Sequence, residues 1–141
     1  MKRLLVACIM LAGLPAYAQK IDESKVPAAV KSAFSKNFPG ITVSKWEIEK
    51  KNYEANFKKN GQKMSAVFDP KGNWMETETA LQVGELPANI KSYVADHYKG
   101  EKIKEAARIK KANGKTVLEA EVKGLDLLFD EQGNFMESEK E

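Results

Sequence analysis

From Val26 onward, apolar side chains return at helical spacing: Val26, Ala29, Val30, Ala33, Phe34 and Phe38 form one stripe. The spacing predicts a helix with Ser24 as N-cap, Pro27 in the first turn and Pro39-Gly40 as the stop. The period then drops to two. Trp46 and Ile48 alternate with Lys45, Glu47 and Glu49; Tyr53, Ala55 and Phe57 with Glu54, Asn56 and Lys58; Met64, Ala66 and Phe68 with Ser65 and Val67. A fourth strand is expected to begin near Asn73. Lys50-Lys51-Asn52, Asn60-Gly61 and Asp69-Pro70-Lys71-Gly72 supply the turns, and Asn-Gly between alternating runs is a strong hairpin signal. Strands joined this tightly must be antiparallel, because a parallel pair needs a long crossover.

After a connector over 80–85 the pattern restarts. Leu86-Pro87-Ala88-Asn89-Ile90-Lys91-Ser92-Tyr93 matches Val26-Pro27-Ala28-Ala29-Val30-Lys31-Ser32-Ala33, and Tyr98-Lys99-Gly100 matches Phe38-Pro39-Gly40. The second helix is expected to bury Leu86, Ile90, Tyr93, Val94 and Tyr98. Its strands should turn Ile103, Ala107 and Ile109 inward, then Leu118, Ala120 and Val122, then Leu125, Leu127 and Phe129. Turns fall at Asn113-Gly114, Lys123-Gly124 and Asp130 to Gly133. The match is closest where Phe68-Asp69-Pro70-Lys71-Gly72-Asn73-Trp74-Met75-Glu76 is answered by Phe129-Asp130-Glu131-Gln132-Gly133-Asn134-Phe135-Met136-Glu137. The fold class expected is α+β: a helix plus a four-stranded antiparallel sheet, duplicated over 25–79 and 86–141. Two layers result, with the helices on one sheet face. A lone unit of about 60 residues is marginal, so the units should pack on each other or share a sheet.

The N-terminus changes the picture of where the chain acts. Met1-Lys2-Arg3, the apolar run Leu4 to Leu14, and Ala16-Tyr17-Ala18 have the order of a signal peptide over 1–18, with cleavage expected after Ala18 and a polar leader at 19–24. Leu5-Val6-Ala7-Cys8 looks like a lipobox but comes too early in the apolar run. Cleavage removes Cys8, the one cysteine, so the core rather than a disulfide must hold the fold. It also leaves 21 basic against 20 acidic residues, which gives no electrostatic case for nucleic acid. No membrane span is expected after cleavage, and the location expected is periplasmic or secreted.

Catalytic chemistry is sparse. His97 is the one histidine and falls at a helix edge; with no mature cysteine, the usual zinc ligands are missing. Asp69-x-x-Gly72-Asn73 and Asp130-x-x-Gly133-Asn134 lack the alternating oxygens and distal glutamate of a calcium loop and fit a three-residue hairpin loop with glycine in the left-handed position. Carboxylates are plentiful but none is singled out for acid–base work, and no nucleotide or nucleophile motif is present. Trp46 and Trp74 read as core. No catalytic residue, metal or cofactor is expected.

Val26-Pro27-Ala28-Ala29-Val30-Lys31, Phe38-Pro39-Gly40 followed by Lys45-Trp46-Glu47, Tyr53-Glu54-Ala55, and Phe68-Asp69-x-x-Gly72-Asn73-Trp74 make the chain resemble the PepSY-like, beta-lactamase-inhibitor-like family of exported bacterial proteins. The resemblance covers nearly the whole mature chain and implies a tandem α+β duplication and an inhibitor-like use of the sheet surface. Ala106-Ala107 stand where Trp46 would be expected, so the two halves need not meet a partner alike.

With a three-residue loop, Phe68 pairs with Trp74, and Val67 shares the opposite face with Met75; Leu128 and Met136 repeat this. Val67, Met75, Leu128 and Met136 are therefore the candidate partner-binding residues, among lysines and glutamates. By the same alternation Glu76 and Glu137 point inward. The function expected is an exported, non-enzymatic binding module that docks another envelope or extracellular protein on its open sheet face. The alternative is a periplasmic carrier or sensor for a small ligand, with a pocket between helix and sheet.

Overall fold

The computed structural model describes residues 18–140. The signal segment read at 1–18 lies outside them except for Ala18. Val26-Pro27-Ala28 and Leu86-Pro87-Ala88 open the two helices in the same way: α1 is Ala28–Asn37 and α2 is Ala88–His97, each with proline at the N-cap. Ser24 does not cap α1. It sits in a 3-10 turn, Glu23–Lys25, whose own cap is Asp22, with Oδ1 accepting from the Ser24 N–H at 2.9 Å. Val83–Glu85 forms the corresponding turn before α2.

The strands are β1 (Gln19–Ile21), β2 (Val43–Glu49), β3 (Asn52–Lys59), β4 (Gln62–Phe68), β5 (Trp74–Leu81), β6 (Glu105–Lys111), β7 (Thr116–Val122), β8 (Leu125–Asp130) and β9 (Phe135–Lys140). They form one antiparallel sheet in sequence order. The α+β class and the helices hold, but two four-stranded units are not what forms: the sheet is continuous and has nine strands. Two features account for the difference. Gln19–Ile21, read as leader, is too short to show alternation, yet it pairs with β2, Ile21 opposite Trp46. β5 pairs not only with β4 but along its length with β6, from Glu76 opposite Lys111 to Leu81 opposite Ala106. β1 thus does for the first copy what the end of β5 does for the second.

The tight turns follow the sequence. Lys50 and Lys51 (φ 48° and 69°) and Asn60 and Gly61 (φ 51° and 79°) have both central residues left-handed, as two-residue hairpins require. Both helices lie on one face of the sheet and each covers a core. Under α1, Phe34 meets Trp46, Phe57 and Phe68 edge-on at centroid distances of 5.9, 5.1 and 6.4 Å. Such pairs add about 0.5–1.5 kcal/mol each beyond their area. Under α2 the core is largely aliphatic: Leu86, Ile90, Val94, Leu118 and Leu127 surround Phe129.

The doubled stretch is a clamp on each hairpin. Asp69 N–H donates to the Asn73 carbonyl at 3.0 Å, closing a three-residue loop in which Gly72 has φ 85°. Asp69 Oδ1 accepts from the Lys71 and Asn73 N–H groups at 2.9 Å, and Asn73 Nδ2 donates to Oδ2 at 2.8 Å. The Asn73 side-chain amide, with these backbone bonds, holds the Asp69 carboxyl below its ordinary value. Asp130 repeats the arrangement with Gln132 and Asn134. The two turns meet their helices differently. A Cβ on Gly72 would lie 2.6 Å from the Ala29 carbonyl oxygen; one on Gly133 would meet the Asn89 side chain at 2.5 Å. Asn89 Nδ2 instead donates to the carbonyls of Gln132 and Gly133 at 2.9 and 3.0 Å.

Both glycines need a left-handed backbone, so alanine strains either site, but only at Gly72 is the obstacle backbone. Gly72→Ala is expected to cost about 2–4 kcal/mol and Gly133→Ala less, with part of the latter loss recovered in the Gly133→Ala/Asn89→Ala double variant. Urea unfolding of the four proteins checks this; equal losses at both glycines, or no recovery, would contradict the clash assignment.

Candidate binding face

The sheet face opposite the helices is built by side chains that alternate with the core positions. Its layout can be read from the strand register. Glu47, Glu54, Val67, Glu76 and Lys111 stand side by side across β2 to β6. The next row runs Lys45, Asn56, Ser65, Glu78, Ile109 and Val117 across β2 to β7. Towards the other end, Ala107, Glu119, Leu128 and Glu137 form a row, and Glu105, Glu121, Asp126 and Glu139 another.

The four predicted patch residues all reach this face, but not as one patch. Val67 does not face Met75: the register slips between Val67 and Phe68, so Val67 pairs with Glu76 and Met75 becomes the extra residue of a bulge. The same slip between Leu128 and Phe129 makes Met136 extra and pairs Leu128 with Glu137. Glu76 and Glu137 therefore face outward, not inward, because the bulge reverses the phase after the aromatic residue. Phe68–Trp74 and Phe129–Phe135 pair as expected, and Trp74 Nε1 donates to Thr77 Oγ1 at 2.9 Å on the helix side. Met75 and Met136 are 40% and 51% exposed, which marks them as surface rather than core. Val67 and Met75 line a shallow groove of about 200 Å³ with Glu54 and Glu76. Leu128 belongs instead to a separate cluster with Ile109 and Val117, each under 10% exposed at 8%, 7% and 5%. Four strand spacings separate β4 from β8, roughly 19 Å at the usual distance.

Ile109 and Ala107 were expected inward, yet they lie on this open face and Ala106 takes the core position. Ala106-Ala107 carries no polarity to set the phase, and the exposed Arg108 occupies the helix-side position opposite Leu118. Val117 was missed because Val117-Leu118 are both apolar, which hides alternation.

Nothing in the sequence singles out the carboxylates of this face. Some have partners: Glu47 accepts from Lys45 Nζ at 2.9 Å and Asn56 Nδ2 at 3.0 Å, Glu121 faces Lys104 at 3.5 Å, and Glu76 faces Lys111 at 4.0 Å. The side chains of Glu78 and Glu119, both half-buried, make no hydrogen bond or ion pair among the described residues. Burial, then the neighbouring carboxylates led by Glu54, pushes Glu78 up to about 7. Burial, then a set of carboxylates led by Glu78, pushes Glu119 up to about 8. Glu54 is raised as well, chiefly by burial, with the Ser65 hydroxyl opposing the shift. His97 lies away from this face at the end of α2, its ring stacked on Tyr93 at 4.0 Å with Nδ1 2.9 Å from the Tyr93 carbonyl oxygen, a structural placement. Among the described residues no helix is long and apolar enough to cross a membrane.

A carboxyl whose pKa rises on folding favours the fold while protonated. That contribution is full below the ordinary value of 4.5 and is lost as pH climbs through about 7 and about 8. Glu78→Gln and Glu119→Gln should therefore each stabilise the protein by about 1–2 kcal/mol at pH 8, allowing for solvent screening, and by little at pH 5. Thermal melts at the two pH values, with the exposed Glu131→Gln as control, check this; a gain at pH 5 equal to that at pH 8 would refute the charge-burial account.

Among curated proteins none matches the chain. Solved structures do. A DUF2874-family protein from Bacteroides uniformis has a TM-score of 0.71 at 22% identity, over 81% of this chain and 88% of its own. A protein from Bacteroides eggerthii, described as periplasmic, has a TM-score of 0.69 at 21% identity, over 82% and 88%. A BLIP-like protein from Bacteroides fragilis has a TM-score of 0.63 at 26% identity, over 81% and 86%. The beta-lactamase-inhibitor-like, PepSY-like family matches residues 16–66 and again 51–137, and this chain belongs to that family.

Proposed function

We propose that this protein is an exported binding module that docks another envelope or extracellular protein on the open face of its sheet, without catalysing a reaction. The observation that carries the reading is Ile109, Val117 and Leu128 buried on a face that neither helix covers, with the exposed Met75 and Met136 at the bulges of β5 and β9. An apolar centre within a polar surround is how protein interfaces are arranged, and methionine adapts to varied partner shapes. The inhibitor-like family and the BLIP-like neighbour support a binding role, and the signal-like leader and the periplasmic neighbour support export. The carrier alternative is not favoured. The space between helices and sheet is filled by Phe34, Phe57 and Phe68 in one half and by Ile90, Leu127 and Phe129 in the other.

Photo-cross-linkers placed at Met75 and Met136, and separately at Lys36 on α1, should capture one envelope protein from the sheet positions alone. The purified partner should then bind Met75→Lys and Met136→Lys at least about tenfold more weakly, with unchanged melting temperature, since both side chains are exposed. Capture from Lys36 alone, or full affinity in both variants, would refute the proposal. Unfolding by either substitution would mean the face is core.

A further inference from the structure

We propose that the partner segment seated on this face is cationic, presenting lysine or arginine side chains to Glu54, Glu78 and Glu119 and an apolar side chain to Ile109, Val117 and Leu128. This deepens the docking reading above and rests on it. Charge on the molecule is segregated: the chain is nearly balanced overall, yet the open face from β3 to β9 is dominated by carboxylates. Three of its cations are committed, Lys45 to Glu47, Lys111 to Glu76 and Lys104 to Glu121, and Lys63 is the cation left beside Glu54 and Glu78. Among the described residues the half-buried side chains of Glu78 and Glu119 form no ion pair, and Lys63 alone cannot balance the carboxylates around them.

The apolar cluster is independent of the charges and argues for a macromolecular occupant, because three side chains under 10% exposed on an uncovered sheet face form a ready seat for one more apolar group. The spacing argues the same way. Same-face carboxylates stand about 4.8 Å apart across strands and about 7 Å along them. Among the described residues, no three converge closely enough to hold one metal ion. Spaced side chains on a peptide backbone suit such a grid; a single ion does not. A second copy docking face to face would set carboxylate against carboxylate, and nucleic acid would be repelled.

Titration gives the inference a distinct signature. The groups facing Glu78 and Glu119 are Glu54 on β3, Lys63 and Ser65 on β4, Glu76 on β5, Glu105 and Lys111 on β6, Glu121 on β7, Asp126 on β8, and Glu137 and Glu139 on β9. Burial, reinforced by this excess of acids over bases, holds the protons on Glu78 and Glu119 to about 7 and about 8. A docked cation favours the charged forms and expels those protons.

The probe is a short peptide alternating lysine with leucine or threonine, followed by amide chemical shifts and by calorimetry in two buffers of different protonation enthalpy. Shifts are expected on β3 to β8, with proton release near pH 7 and affinity rising roughly tenfold between about pH 6 and pH 8.5. Glu78→Gln/Glu119→Gln should lose the proton release and bind at least about tenfold more weakly, while Glu23→Gln/Asp96→Asn, off the face, binds normally. Binding that ignores pH and the double variant, or shifts on the helices, would overturn the inference. So would the same sheet shifts from calcium alone at about 1 mM. If the captured envelope partner loses affinity with Met75→Lys but not with Glu78→Gln/Glu119→Gln, the docking reading stands and the cationic partner falls; if it maps to the helices, both fall.

Discussion

The pairing of β5 with β6 is the constraint on which the rest of this structure depends. β5 ends the first copy of the repeat and, by pairing on both edges, begins the second. With one cysteine in the sequence, no disulfide within the chain can tie the halves together, and apart from the connector it is this ladder that links them. It also makes the open face continuous. Had each copy closed its own sheet, Glu78 would stand on a solvated edge strand and ionise freely. Placed between β4 and β6 instead, it lies between Ser65 and Ile109 and keeps its proton to about 7.

The copies agree where backbone geometry is demanding and diverge where packing has freedom. Both retain the aspartate that clamps the turn, the left-handed glycine beneath the helix and the bulge at the methionine. Trp46, by contrast, becomes Ala106, and an aromatic cluster around Phe34 becomes an aliphatic one around Phe129. The contact from turn to helix changes from backbone proximity at Ala29 to hydrogen bonds from Asn89.

Much of this was legible in the sequence. The helices and the tight hairpins at Asn60-Gly61 and Lys123-Gly124 follow from periodicity and turn chemistry, which act over a few residues. Three features did not follow, each for a physical reason. β1 is three residues long, too short for a period to register. The bulges add one residue without changing composition, so Glu76 and Glu137 read as inward when they face out. In β6, two alanines followed by an arginine on the helix side disguised the phase and hid Ile109. The methionines of the candidate face were visible; its apolar centre and the raised carboxylates were not, because neighbours on other strands, up to three strands away, decide them.

The unequal cores also make the two halves optically distinct. Both tryptophans, Trp46 and Trp74, belong to the first copy, one buried against Phe34 and the other hydrogen-bonded to Thr77, while the second copy has phenylalanine and tyrosine only. Tryptophan emission is therefore a reporter built into one half, whereas far-ultraviolet ellipticity averages over the whole sheet. The degree to which the two signals coincide during unfolding reads out how strongly the β5–β6 ladder makes two duplicated halves behave as one cooperative body.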